Sequence, residues 1–125
     1  MYLSESTRVE NGHLMIGGAD ALDLAREYGT PLYVMDEELI RKRCRIYRRA
    51  LQKYYGGNGQ IYYATKAFFN TAMARIVKQE GIGVDVVSAG ELHIALAGGI
   101  DPAQIHFNGN NKSEEELRLA IKLGI

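Results

Sequence analysis

The chain has 125 residues, 46% hydrophobic and 24% charged, with 15 lysines and arginines balancing 15 aspartates and glutamates. Zero net charge gives no general attraction for nucleic acid or anionic membranes, and no apolar run approaches the roughly 20 residues that span a bilayer. A single cysteine, Cys44, excludes an internal disulfide and a cysteine-based metal site, and "MYLSESTRVE" lacks a signal-peptide core, so the expectation is a cytoplasmic globular protein.

Residues 1–18 are polar and glycine-bearing, with short extended patches such as "HLMI". Asp20 is placed to cap a short helix over 21–28, which Gly29 ends. "PLYVM", 31–35, reads as a strand, Pro31 standing at its first position where a missing N–H is tolerated. A long helix is predicted over 36–55. Its apolar stripe is Ile40, Cys44, Tyr47, Leu51 and Tyr54, spaced by 4, 3, 4 and 3. Asp36, Glu37 and Glu38 open it and basic residues fill its body, as the helix dipole prefers. "GGNG" at 56–59 stops it.

The chain then repeats a pattern. "IYYATK", "VDVVS" and "IHFNG" read as strands starting at 61, 84 and 105, spaced by 23 and 21 residues. Helices are predicted after each, over 71–80, 89–97 and 114–123. Two of them open with capping boxes, Ser88 with Glu91 and Ser113 with Glu116. Gly81, Gly98 and Gly124 close all three. Strand–helix alternation implies parallel strands joined by right-handed crossovers. A doubly wound sheet and a (β/α)8 barrel both fit; a barrel needs ~250 residues, so three units would be under half of one. The sequence stops one residue after Gly124, which reads as part of something longer.

Of six lysines, Lys42, Lys53, Lys78 and Lys122 fall on amphipathic helices and Lys112 in a polar loop. Only Lys66 ends a strand. Period-2 alternation groups it with Ala64 and Tyr62, against Tyr63 and Thr65 on the other face. The carboxyl ends of parallel strands are where α/β folds hold their ligands. Lys66 either snorkels out of the sheet edge with its stem covered, or is an amine set to form a Schiff base with a carbonyl. Spacing alone does not choose. Asp85 interrupts an otherwise apolar strand, where a lone carboxylate needs a cation or hydrogen bonds. Lys66 is the natural partner on an adjacent strand, and backbone groups at a strand end are the alternative. Glu91 is accounted for by its capping box.

"YYATKAFFN", "GVDVVSAGEL" and "HFNGNNKSEEEL", in this order and spacing, resemble the diaminopimelate decarboxylases, within the alanine-racemase-like class of pyridoxal-phosphate enzymes. The likeness runs from "GTPLYVMDEELIRKRC" at residue 29 to the last residue. The resemblance implies a (β/α)8 barrel whose first three β/α units lie in 36–125, with 1–35 contributing to a second, β domain. It implies that Lys66 carries pyridoxal 5′-phosphate as an internal aldimine, with Asp85 and Glu91 beside the cofactor. It also implies decarboxylation of meso-diaminopimelate to L-lysine by a homodimer, with the phosphate loop and the substrate-binding residues beyond residue 125. The 125 residues alone would then be inactive. Two positions depart from the usual pattern: Asn108 stands where His or Ser is more common, and Phe68 where many members have Asn. "GNNKS" favours this family over ornithine-type decarboxylases. A related decarboxylase acting on ornithine, arginine or carboxynorspermidine is the alternative, as is a homologue that binds the cofactor without turnover.

"RKRCRIYRR", 41–49, places six basic residues in nine and raises a nucleic-acid-binding module. The stripe through Cys44 and Tyr47 instead leaves these residues as an ordinary solvated face, without the interleaved aromatics of RNA-binding segments. His13, His93 and His106 lack the spacing of metal ligands, so no metal site is expected. The glycines of "AGGID" and "FNGNN" resemble phosphate cradles only loosely, and a helix C-cap explains the first.

Overall fold

The computed structural model describes residues 4–125, which divide into two compact units, one up to Arg43 and one from Cys44. The first opens with an antiparallel sheet of β1 (Thr7–Glu10), β2 (His13–Ile16) and β3 (Ala19–Asp20). Its turns are two-residue loops, Asn11-Gly12 and Gly17-Gly18, all four residues at positive φ. That conformation matches the right-handed twist of the strands and suits Asn and Gly. Helix α1 (Ala21–Tyr28) follows at once, its Leu22 N–H donating to Asp20 Oδ1 at 2.8 Å. Asp20 also faces His13 Nδ1, and that contact with the Leu22 bond holds its carboxyl below the ordinary range.

Residues 31–35 are not a strand. An extended segment becomes a strand only by pairing, and no ladder includes these residues; Tyr33 is 94% exposed. Helix α2 (Glu37–Tyr55) begins after Asp36, whose Oδ1 accepts from Leu39 N–H at 3.1 Å. Its stripe is covered at Cys44 and partly at Ile40 and Leu51, while Tyr47 and Tyr54 are exposed. In the second unit α2 is tethered through Arg45 and Arg48 to Glu80, on the Cys44 side, which turns the tyrosine edge outward.

The second unit is a parallel sheet in the order β4 (Tyr62–Ala64), β5 (Gly83–Val86), β6 (Ile105–Phe107). Helices α3 (Thr71–Gln79) and α4 (Ala89–Ala97) connect the strands, and α5 (Glu114–Leu123) follows β6. Each helix has a side-chain N-cap: Asn70 to Met73 N–H, Ser88 to Glu91 N–H, and Ser113 to Glu116 N–H. Only the last is a full capping box, with Glu116 returning to Ser113 N–H at 2.9 Å. The register opposes Ala64 to Asp85 and Asp85 to His106. One face therefore carries Val84, Val86 and Ile105, which with Val77, Leu92 and Ala95 form the buried core. Burying each large aliphatic side chain contributes about 1.5–3 kcal/mol. The opposite face carries Tyr62, Ala64, Asp85 and His106, and that face holds the polar groups.

Candidate active site

The carboxyl ends of β4 and β5 place the titratable residues. β4 does not run straight on to Lys66: at Thr65 the backbone enters a single 3₁₀ turn, Thr65–Ala67, so strict alternation fails one residue before the lysine. The cause is Thr65, 1% exposed, whose hydroxyl reaches across to β5 instead of extending the ladder. Lys66 is exposed on this turn and, among the described residues, makes no side-chain hydrogen bond or ion pair. Beyond the turn, Tyr63 O–H donates to Phe68 O at 2.7 Å, and burial raises the pKa of that phenol.

Asp85 stands on the polar face. The Lys66 pairing expected from sequence is not what is seen: its neighbour is His106, with Nδ1 3.4 Å from Oδ1. The reason is register, which puts His106 directly opposite, whereas the 3₁₀ turn carries Lys66 past the end of the ladder. Asp85 Oδ1 is buried and has no hydrogen-bond partner among the described residues. The Tyr62 ring flanks His106, centroids 5.7 Å apart.

Glu91 does not close the capping box expected of it. Its Oε2 accepts from Val87 N–H at 2.8 Å and from the Thr65 hydroxyl at 2.6 Å. The box fails because Thr65, in the 3₁₀ turn after β4, and Val87 N–H take that carboxylate. Thr65 and His106 also border the site, Thr65 through Glu91 and His106 through Asp85. The face assignment of Thr65 was readable, its hydroxyl partner was not.

The other candidates fall elsewhere. His93 Nδ1 lies 2.7 Å from Ala89 O, within its own helix. Of the basic cluster, Arg41 pairs with Glu37, Lys42 and Arg43 with Glu5, and Arg45 with Glu80, while Arg48 donates to Glu80 O. A hollow of about 460 Å³ lined by Arg45, Arg48, Arg49 and Gly81 lies at the amino-terminal end of β4 and β5, away from Lys66.

Among the described residues, then, Lys66 follows β4 without a side-chain partner, and Asp85 on β5 has an Oδ1 that makes no hydrogen bond. The family model for the pyridoxal-binding domain of pyridoxal-dependent decarboxylases matches residues 37–125, and the chain belongs to that family. The chain is 50% identical over 123 residues to diaminopimelate decarboxylase of Bacillus subtilis, covering 98% of this chain and 28% of that protein. Against the diaminopimelate decarboxylase of Methanothermobacter thermautotrophicus it is 49% identical over 116 residues, covering 93% and 27%. The solved diaminopimelate decarboxylase from M. jannaschii matches with a TM-score of 0.83 at 39% identity, covering 97% of this chain and 29% of that one. The same enzyme solved in complex with L-lysine matches at 0.82. The chain thus spans under a third of the length of the relatives it matches, and its three β/α units are an arc of their barrel.

Proposed function

We propose that this chain is the lysine-bearing part of a diaminopimelate decarboxylase, which converts meso-diaminopimelate to L-lysine with pyridoxal 5′-phosphate. The observation that carries this reading is the placement of Lys66, with no side-chain partner among the described residues, just past the end of β4, while β5 carries Asp85, whose Oδ1 has no hydrogen bond among them. These residues fit the cofactor. A primary amine is the group an aldehyde requires, and a buried acceptor without a donor costs free energy until one arrives. When bound, pyridoxal phosphate supplies the electron sink for the charge left as CO₂ departs.

The residues of this chain then take distinct parts. Lys66 is the covalent anchor for the aldehyde. Asp85 offers its Oδ1, which His106 Nδ1 approaches only to 3.4 Å, as the acceptor for a donor of the cofactor. Glu91 belongs to the same site, at the flank of the Lys66 turn. Residues 1–35 contribute to a separate β domain, and 36–125 to the barrel. The working enzyme is a cytoplasmic homodimer taking a small amino-acid substrate.

Borohydride reduction in the presence of pyridoxal phosphate, followed by peptide mapping of the protein as its gene encodes it, tests the anchor. A phosphopyridoxyl mass on the Lys66 peptide is expected, and an unmodified Lys66 in folded protein refutes it. CO₂ release from meso-diaminopimelate, and not from ornithine, arginine or carboxynorspermidine, tests the substrate.

A further inference from the structure

The turn that carries Lys66 has little of its own to hold it. A single 3₁₀ turn has strained hydrogen-bond geometry, and this one has no side-chain N-cap. Its anchorage comes from outside. Thr65, nearly fully buried, lies 2.9 Å from Asp85 O and 2.6 Å from Glu91 Oε2 through its hydroxyl. A hydroxyl has one proton to give, and the shorter, charge-assisted bond to the carboxylate takes it. Glu91 Oε2 is fixed in turn by Val87 N–H at 2.8 Å. The carboxylate therefore bridges the first residue of the Lys66 turn to the residue after β5, the strand that carries Asp85.

We propose that Thr65 and Glu91 are positioning residues for Lys66: Glu91 acts through the Thr65 hydroxyl, setting the place of the lysine relative to Asp85, without itself needing to touch the cofactor. This rests on Lys66 being the anchor proposed above. It also gives Glu91 a task that a helix cap alone would not require, since Ser88 already caps α4.

The experiment uses Thr65→Val, Thr65→Ser, Glu91→Gln and the Thr65→Val/Glu91→Gln pair in the protein as its gene encodes it. The first readout needs no cofactor: amide exchange over residues 65–68 of the apo-protein, with α5 amides as the control for global unfolding. Thr65→Val keeps the volume and removes the donor, so exchange in the turn should rise about tenfold or more while α5 is unchanged. Glu91→Gln should do the same in part. The double variant should be no worse than Thr65→Val, because both remove one bond. Thr65→Ser should restore wild-type exchange.

The second readout is the rate of borohydride-trapped labelling of Lys66 by pyridoxal phosphate, which should fall in the same order. Wild-type exchange and labelling in both Thr65→Val and Glu91→Gln would overturn the proposal. So would additive effects in the double variant. If wild-type Lys66 is not labelled at all, the anchor reading fails on its own, and the exchange data still decide whether Thr65 and Glu91 hold the turn.

Discussion

Gly98 ends α4 in an ordinary right-handed conformation, φ −73° and ψ −9°, which alanine adopts without strain. On backbone grounds Gly98→Ala should therefore stabilise the chain by about 0.4–1 kcal/mol, by restricting the unfolded state. Packing says otherwise. A Cβ at position 98 would lie 2.3 Å from Ala74 Cβ and 3.3 Å from Ile94 O. Ordinary contact begins near 3.4 Å, so α3 and α4 must part by roughly 1 Å. A gap of that size forfeits a quarter to a half of each dispersion contact nearby. Ala74, Val77, Leu92 and Ala95 are all fully buried there, so nothing exposed can give way. Overpacking of this kind costs about 1–3 kcal/mol, and after the backbone gain the net destabilisation is about 1–2 kcal/mol. Native-state hydrogen exchange of α3 and α4 amides measures it locally. Ala74→Gly in the same chain removes the opposing methyl, and the pair should show a favourable coupling of about 1 kcal/mol or more. A Gly98→Ala variant at or above wild-type stability, or strictly additive effects, would show that the contact does not limit how closely the helices approach.

Other outcomes follow from the same contacts. Asp85→Asn should raise the dissociation constant for pyridoxal phosphate about tenfold or more, read by fluorescence titration of the apo-protein; unchanged affinity would remove Asp85 from the site. Ser113→Ala should cost about 1 kcal/mol at α5, measured by exchange of its first-turn amides. Glu116 accepts from Ser113 N–H and from Ala89 N–H, and these bonds, with Ser113 the larger cause, hold its carboxyl below the ordinary value of 4.5. Because the folded pKa is depressed, its contribution is complete above the unfolded value and disappears as pH falls from about 4.5 through the folded pKa. Protection at the start of α4 and α5 should decline together over that range, and Glu116→Gln should flatten the decline.

What could be read from sequence was set by short-range chemistry. α4 and α5 begin and end where Ser88, Ser113, Gly98 and Gly124 predict, because a cap is satisfied within one turn of its own chain. The strands of the second unit also fall near 61, 84 and 105, since short runs rich in β-branched and aromatic residues between helix caps and glycines suit a strand. Readings that needed a partner elsewhere in the chain fared differently. "PLYVM" has strand composition and no strand beside it. Tyr47 and Tyr54 have stripe spacing, but the grip of Arg45 and Arg48 on Glu80 turns them outward. Asp85 was matched to a cation on the next strand, and register chose His106 on the other side. Glu91 was assigned to its own helix and went to Thr65. The Asn11-Gly12 and Gly17-Gly18 turns are hairpin signals in residue type alone, set between short extended patches.

The alternation along β5 has a consequence for how this chain tolerates change. Val84 and Val86 point into the packed side and Asp85 to the open side, so neighbouring codons answer to different demands. A saturation library across 83–86 should separate residue by residue: losses at 84 and 86 recoverable by lower growth temperature or a second-site stabiliser, those at 85 insensitive to both. Thermal rescue would then mark, one residue at a time, which side of the sheet a position serves.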